Sequence, residues 1–268
     1  MTLEHKLACL KRKISGYKSC VVAFSGGQDS AFLLKACSLV LPKTNILAVT
    51  AVSATYPKDE LRKAKILAKD IGVRIRVIKT AELGNKNFIA NSARRCYFCK
   101  KELFAKLTAI ARENKLNFVL DASNASDKSD YRPGNIAKKE FKVQSPLFEA
   151  GFSKKDIRKL SKLMGLSSWD KPSLACLASR IPYGTEITAG LLRKIDRAEA
   201  YLISLGFRQV RLRHYNGLCR IEVEKKYLSR LLRHRQAIVE KLKDLGYNYI
   251  TLDLEGYRTG SLNEVIKE

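Results

Sequence analysis

No apolar run in the 268-residue chain approaches the roughly 20 residues of a membrane-spanning helix, which excludes a helical membrane protein. The opening stretch, MTLEHKLACLKRKISGYKSC, lacks a long apolar segment and a small-residue cleavage site, so no secretory leader is expected and the expected compartment is the cytoplasm. Internal repeats and low-complexity tracts are lacking too, which sets aside solenoids and fibrous classes. Histidine is scarce: His5, His214 and His234 have no mutual spacing that suggests a metal site or a catalytic triad. Two common nucleotide signatures are missing. There is no G-x-x-x-x-G-K-S/T and no G-x-G-x-x-G, so neither a Walker loop nor a dinucleotide fingerprint is present. Acidic residues are in short supply, 26 Asp+Glu against 51 Lys+Arg, and the formal charge of +25 points to anionic partners or to a solvated basic surface.

What is present begins with enough apolar residues, 46%, to exclude intrinsic disorder despite the charge. The length fits one large domain with a smaller companion. The seven cysteines are an odd number, in a chain expected to sit in a reducing compartment where stable disulfides are rare. Cys9, Cys20, Cys37 and Cys219 stand alone in apolar surroundings and read as small core hydrophobes. Cys96 and Cys99 form a C-x-x-C pair, and Cys176 sits in the unusual run WDKPSLACLASRIPYGTEIT.

Hydrophobic patterning predicts strands at 19–24, 45–52, 73–78 and 117–121, with helices at about 29–40, after Pro57, and at about 98–114. Strands alternating with helices mean βαβ units, hence an α/β fold with a doubly wound parallel sheet. Near residue 170 the pattern changes. A helix at about 190–205, two alternating strands around Asn216-Gly217, a basic helix at about 226–244 and a last strand NYITLDL read as a smaller C-terminal α+β domain. The expected division is 1–168 and 169–268.

Ser25-Gly26-Gly27-Gln28-Asp29-Ser30 lies between the first strand and its helix. Two glycines let the backbone approach an anion, the helix start adds its dipole, and two hydroxyls add donors. Asp29 is the nearest carboxylate that could support Mg²⁺. SGGQDS resembles the pyrophosphate loop of the PP-loop ATP pyrophosphatases, the adenine nucleotide alpha hydrolase-like superfamily. The resemblance implies cleavage of ATP between the α and β phosphates and adenylation of an acceptor oxygen, with Ser25, Gly26, Gly27, Asp29 and Ser30 at the nucleotide. Asn124 and Asp127, just beyond the fourth strand, are placed to reach ATP or substrate.

The C-x-x-C pair alone leaves zinc, iron–sulfur, a redox disulfide and two core thiols open. Together with RRCYFCKKEL, the segments ASNASDKSDYRPG (122–134), WDKPSLACLASRIPYGTEIT (169–188) and DLEGYRTGSLN (253–263) resemble the LarE-type ATP-dependent sulfur transferases over nearly the whole chain. That family makes the nickel-pincer nucleotide, the cofactor of lactate racemase. Its members adenylate a carboxylate of pyridinium-3,5-biscarboxylic acid mononucleotide and replace the activated oxygen with sulfur. In one version a single cysteine gives up its own sulfur and becomes dehydroalanine. In the other, three cysteines hold a 4Fe–4S cluster carrying a labile sulfide, and Cys96, Cys99 and Cys176 match that version. The implied substrate is a small-molecule nucleotide, with no membrane partner, no nucleic acid expected, and the homo-oligomers common in the family.

A substrate with two carboxylates and a phosphate needs cations. From Arg208 through Lys243 there are eleven Lys+Arg against three Asp+Glu. Arg211 and Arg213, two apart on a strand, share a face, and the arginine fork suits phosphate and carboxylate. The resemblance implies Arg211 and Arg258 as substrate-phosphate residues and Glu199 as a metal or substrate ligand. Ser179 and Arg180 follow Cys176 and are expected in the same pocket. The competing function is a PP-loop tRNA thiolase, which the charge would suit but for which no RNA-binding module is recognisable.

Overall fold

The computed structural model describes residues 2–56, 58–127, 133–172, 175–258 and 260–266. Pro57, the expected helix-start proline, and parts of the three motif segments that carried the family resemblance lie outside them. Two units are delimited by packing. The first comprises residues 1–53, 58–82 and 96–174; the second comprises 54–57, 83–95 and 175–268.

In chain order the elements are α1 (Leu3–Tyr17), β1 (Cys20–Ala23), α2 (Gln28–Val40), β2 (Ile46–Val52), α3 (Lys58–Ile71) and β3 (Arg74–Lys79). Then come α4 (Lys86–Ile89), α5 (Arg95–Glu113), β4 (Phe118–Leu120), α6 (Gly134–Glu140), α7 (Pro146–Glu149) and α8 (Lys154–Leu163). The remainder holds α9 (Ala189–Ser204), β5 (Val210–Tyr215), β6 (Leu218–Val223), α10 (Leu228–Arg233), α11 (Arg235–Asp244) and β7 (Tyr249–Leu252).

In the first unit the sheet order is β3-β2-β1-β4, with every neighbouring pair parallel. Side chains alternate across the pleat, so each strand serves two cores. Cys20, Val22, Ile46, Ala48 and Leu120 pack with α1, α2, α3 and α8. Val21, Leu47, Val49 and Val119 pack with Phe104, Leu107 and Ile110 of α5 on the other face. A parallel sheet covered on both faces is the doubly wound arrangement that the alternation predicts. Strand β3 is one edge, and Arg74, Arg76 and Lys79 keep it polar.

Five helices were not expected, the short α4, α6 and α7 and the longer α1 and α8. In α1, Leu3, Leu7, Leu10 and Ile14 meet the core, and Thr2 accepts the N–H of His5 at the helix start. In α8, Ser153 and Asp156 cap the helix reciprocally, with Ile157 and Leu160 facing the core.

The second unit carries the sheet β5-β6-β7, antiparallel between β5 and β6 and parallel between β6 and β7. Asn216 and Gly217 both take positive φ, 39° and 94°, as a two-residue hairpin turn demands. The single basic helix expected over 226–244 is instead two, α10 and α11. His234, at φ −94° and ψ 10°, turns the chain between them and sets its ring edge-on to Phe207. Among the described residues, no helix is long and apolar enough to cross a membrane.

Phe104 is wholly buried on α5. Phe104→Ala is expected to lower the unfolding free energy by about 3–5 kcal/mol, read from urea denaturation followed by circular dichroism.

Candidate functional site

The chain leaves β1 at the point where strand order reverses, between β2 on one side and β4 on the other. Loops beyond the strand ends at such a switch point form a crevice in open α/β sheets. Gly26 turns with φ 69°, and a Cβ there would lie 2.7 Å from the Ala64 Cβ on α3. The loop is therefore pressed on α3 in a conformation that only glycine takes without strain. Gly27 caps α2 and, being glycine, sets no side-chain acceptor over the helix start. Ser25 and Ser30 meet Oγ to Oγ at 3.1 Å across the loop, the Gly27 N–H donates to Ser25 Oγ, and the Ser30 hydroxyl lies 3.1 Å from the Gly27 carbonyl oxygen. The result is a helix N-terminus flanked by two hydroxyls, a geometry that receives phosphate.

The loop after β4 meets it. The Asn124 side chain is wholly buried and donates to Asp29 Oδ2 at 3.1 Å. Its own Oδ1 accepts the Ser126 N–H, while its backbone N–H donates to Asp127 Oδ2. Asn124, Asp127 and Asp29 are thus brought together. Asp121, on the same loop, is buried against Ser145 Oγ at 2.6 Å and Lys138 Nζ at 3.4 Å, which braces the strand end from behind.

A third segment arrives from residues 169–171. The Gln28 side chain donates to the Trp169 carbonyl. The Lys171 ammonium donates to the Gly26 carbonyl at 2.8 Å and pairs with Glu60 Oε2 at 2.6 Å. Lys171 and Glu60 were not singled out as site residues. They are far apart in sequence, and only their tertiary meeting at the loop marks them.

The cysteines divide by exposure. All seven are thiols. Cys20, Cys37 and Cys219 are buried, and Cys9 packs partly against the core. A hydrogen bond with Cys20, and then burial, push the Cys37 thiol well up, while burial pushes Cys219 up to about 12. Such thiols are inert at neutral pH. Cys96 is exposed and Cys99 half-buried, one helical turn apart at the start of α5. The Cys99 Sγ lies 3.7 Å from Glu82 Oε1. Cys176, in the second unit, is exposed. Accessible thiols at a spacing of three on a helix face suit a soft metal or an iron–sulfur cluster. Among the described residues, no group of three or more His, Cys, Asp or Glu side chains is gathered to hold a metal.

In the second unit Arg180, Glu199, Arg211 and Arg213 of the predicted substrate residues are buried, and Arg258 is part-exposed. Arg180 is wholly buried and makes a two-pronged pair with Glu199, 2.8 Å on each prong. Its remaining nitrogen donates to the carbonyls of Ala175 (2.7 Å) and Cys176 (3.1 Å) and to Ser179 Oγ. Glu199 Oε1 also accepts the Leu212 N–H. Burial acts to lower the Arg180 guanidinium, but Glu199 outweighs it and raises it. Arg213 pairs with the buried Glu222 through both prongs, at 2.9 and 3.0 Å, and donates to the Ser179 carbonyl and to Ser261 Oγ. Arg211 lies over the Tyr257 ring at 5.2 Å, and burial, with Arg180 beside it, pulls it down to about 10. Arg211 and Arg213 do share a face of β5, opposite Glu222 and Arg220 of β6. Arg258 meets Asp253, Glu255 and Glu264. Glu222, Asp253 and Ser261 were missed, because a carboxylate or hydroxyl buried against arginines has no local sequence signature.

The family model described as NAD synthase matches residues 3–128, the stretch that holds the parallel sheet and the glycine loop. The chain is 36% identical over 265 residues to the pyridinium-3,5-bisthiocarboxylic acid mononucleotide synthase of Lactiplantibacillus plantarum, covering 99% of this chain and 96% of that one. It is 41% identical to the uncharacterized protein slr1717 of Synechocystis sp., over 98% of this chain and 99% of that one. The uncharacterized protein MJ0830 of Methanocaldococcus jannaschii is 32% identical, over 93% and 94% respectively.

Gly26→Ala is expected to weaken binding of an ATP analogue at least tenfold, measured by calorimetry, because the added Cβ meets Ala64 and the loop must move. Glu199→Ala strands the buried Arg180 guanidinium and is expected to cost about 3–5 kcal/mol of stability, read by chemical denaturation.

Proposed function

The chain belongs to the LarE-like sulfurtransferases of the PP-loop ATP pyrophosphatases, and from that membership we propose that it adenylates a carboxylate of pyridinium-3,5-biscarboxylic acid mononucleotide and turns it into a thiocarboxylate. Family members use ATP, in chemistry of the adenylation and sulfur-transfer kind. The observation that carries the finer reading is likeness over nearly the whole chain to a synthase named for the bisthiocarboxylic product.

The substrate carboxylate oxygen attacks the α-phosphorus, and the bond to the β-phosphate oxygen breaks to release pyrophosphate. The N–H groups at the start of α2, with the Ser25 and Ser30 hydroxyls and the Gly26–Gly27 backbone, hold the charge growing on that leaving group. Asp29, fixed by Asn124, is the carboxylate suited to Mg²⁺. A sulfur nucleophile then adds to the acyl carbon, and the acyl–oxygen bond breaks to release AMP. Arg180 grips the carbonyls of Ala175 and Cys176 and so fixes the backbone that presents the Cys176 thiol. Glu199 and Arg213 hold that grip in turn. Arg211 and Arg258 serve the substrate's phosphate and free carboxylate.

Cys96, Cys99 and Cys176 are the ligands for a 4Fe–4S cluster in this reading. Such a cluster, when bound, would supply a transferable sulfide at the iron without a protein ligand.

Pyrophosphate release is expected with the pyridinium substrate and not with tRNA. Release with tRNA, falling steeply as salt rises, would favour the thiolase reading instead. Anaerobic reconstitution is expected to load about four irons per chain, counted chemically and by electron paramagnetic resonance. A Cys96→Ala/Cys99→Ala double variant is expected to load none. Full single-turnover activity of that variant, with Cys176 converted to dehydroalanine by mass spectrometry, would replace the cluster with a sacrificial cysteine.

A further inference from the structure

The SGGQDS loop contains no cation, although a polyphosphate bound there carries several negative charges. A Walker loop meets that need with its own lysine. Here an ammonium reaches the loop from elsewhere in the same unit. Lys171 Nζ donates to the Gly26 carbonyl at 2.8 Å, inside the turn that cradles phosphate, while its side chain is only 14% exposed. Its counter-ion is Glu60, one turn before Ala64 on the face of α3 that Gly26 touches. Glu60 has a second cation as well: Lys63 Nζ lies 3.1 Å from its other oxygen, Oε1. Withdrawal of Lys171 would therefore leave the buried carboxylate paired. The reverse does not hold, since a buried ammonium without Glu60 needs another anion. Two lysines thus share the one carboxylate of Glu60 beside the loop.

We propose that Lys171 is a phosphate-binding residue of the nucleotide site, held by Glu60 in the absence of nucleotide and turned onto the β- or γ-phosphate oxygens when ATP enters. The four-carbon stem and rotating ammonium allow that exchange without backbone movement, and Lys63 keeps Glu60 neutralised. The segment is steadied meanwhile by the Gln28 side chain on the Trp169 carbonyl. This assignment rests on the reading of the loop as an ATP site.

The test is calorimetric titration of the full chain with inorganic pyrophosphate and with α,β-methylene ATP, each with Mg²⁺, neither requiring sulfur transfer. Lys171→Met is expected to weaken both at least tenfold, Lys171→Arg to restore most of the loss, and Glu60→Gln to bind as tightly as the native chain or more so. Native affinity in Lys171→Met overturns the assignment. So does a parallel loss in Lys171→Met and Glu60→Gln, which would make the ion pair a structural brace for the loop. If Lys171→Met does not fold, as judged by its thermal transition, Lys171→Arg and Glu60→Gln carry the same distinction: Glu60→Gln binding tenfold more weakly than Lys171→Arg overturns the exchange. A native chain that binds neither ligand overturns the ATP reading itself, whereas native binding left intact in Lys171→Met overturns only the role of the lysine.

Discussion

The missing side chain at Gly26 is the constraint on which the nucleotide loop depends. Because the loop touches α3 with nothing between, its backbone can turn with a positive φ and deliver the chain to the start of α2. Everything that converges on the loop does so around that contact. Asn124 comes from the end of β4, Lys171 from a distant turn, and Glu60 from the helix that Gly26 touches. A methyl group at this one position would meet Ala64 of α3, so the loop is better regarded as part of a packed core than as a surface turn.

The second unit is organised by a different principle. Arg180, Arg211 and Arg213 lie under the surface, and Glu199 and Glu222 neutralise Arg180 and Arg213. A buried ion pair gives modest net stability because desolvation opposes it, but losing one partner is costly. The benefit is position. Arg180 fixes two consecutive carbonyls beside Cys176, and Arg213 fixes the Ser179 carbonyl. Charges that could have served only as a solvated basic face are used to hold the thiol-bearing backbone in one conformation.

What could be read in advance followed local physics. The strand and helix alternation, the glycine loop, the Asn216-Gly217 turn and the burial of Cys20, Cys37 and Cys219 are all written in neighbouring residues. The α1 helix was readable as well, since Leu3, Leu7, Leu10 and Ile14 fall at helical spacing after a threonine cap. The Ser153–Asp156 box before Ile157 is another signal of the same kind. Lys171–Glu60 could not be read, because a buried ion pair between remote segments has no periodicity and shows only when the chain is folded, and Arg213–Glu222, although within one hairpin, depends on the strand register and the burial of that face. The break at His234 belongs with these: its residues are acceptable helix formers, and the ring packing against Phe207 decides.

The partition of the chain has a consequence for how the protein is made. The second unit takes residues 54–57 and 83–95 from the middle of the first unit's sequence and completes itself only with residues 175–268. As the polypeptide emerges from the ribosome, Asn91 and Arg95 are synthesised long before their partners at Ile181, Pro182, Tyr183 and Thr185. The parallel sheet can close while these two strips wait as looped-out excursions. Synthesis order thus separates the two units: the second lacks most of its residues, 175–268, until the first unit's sequence is complete, and a chain stopped at residue 174 would carry both strips without those partners.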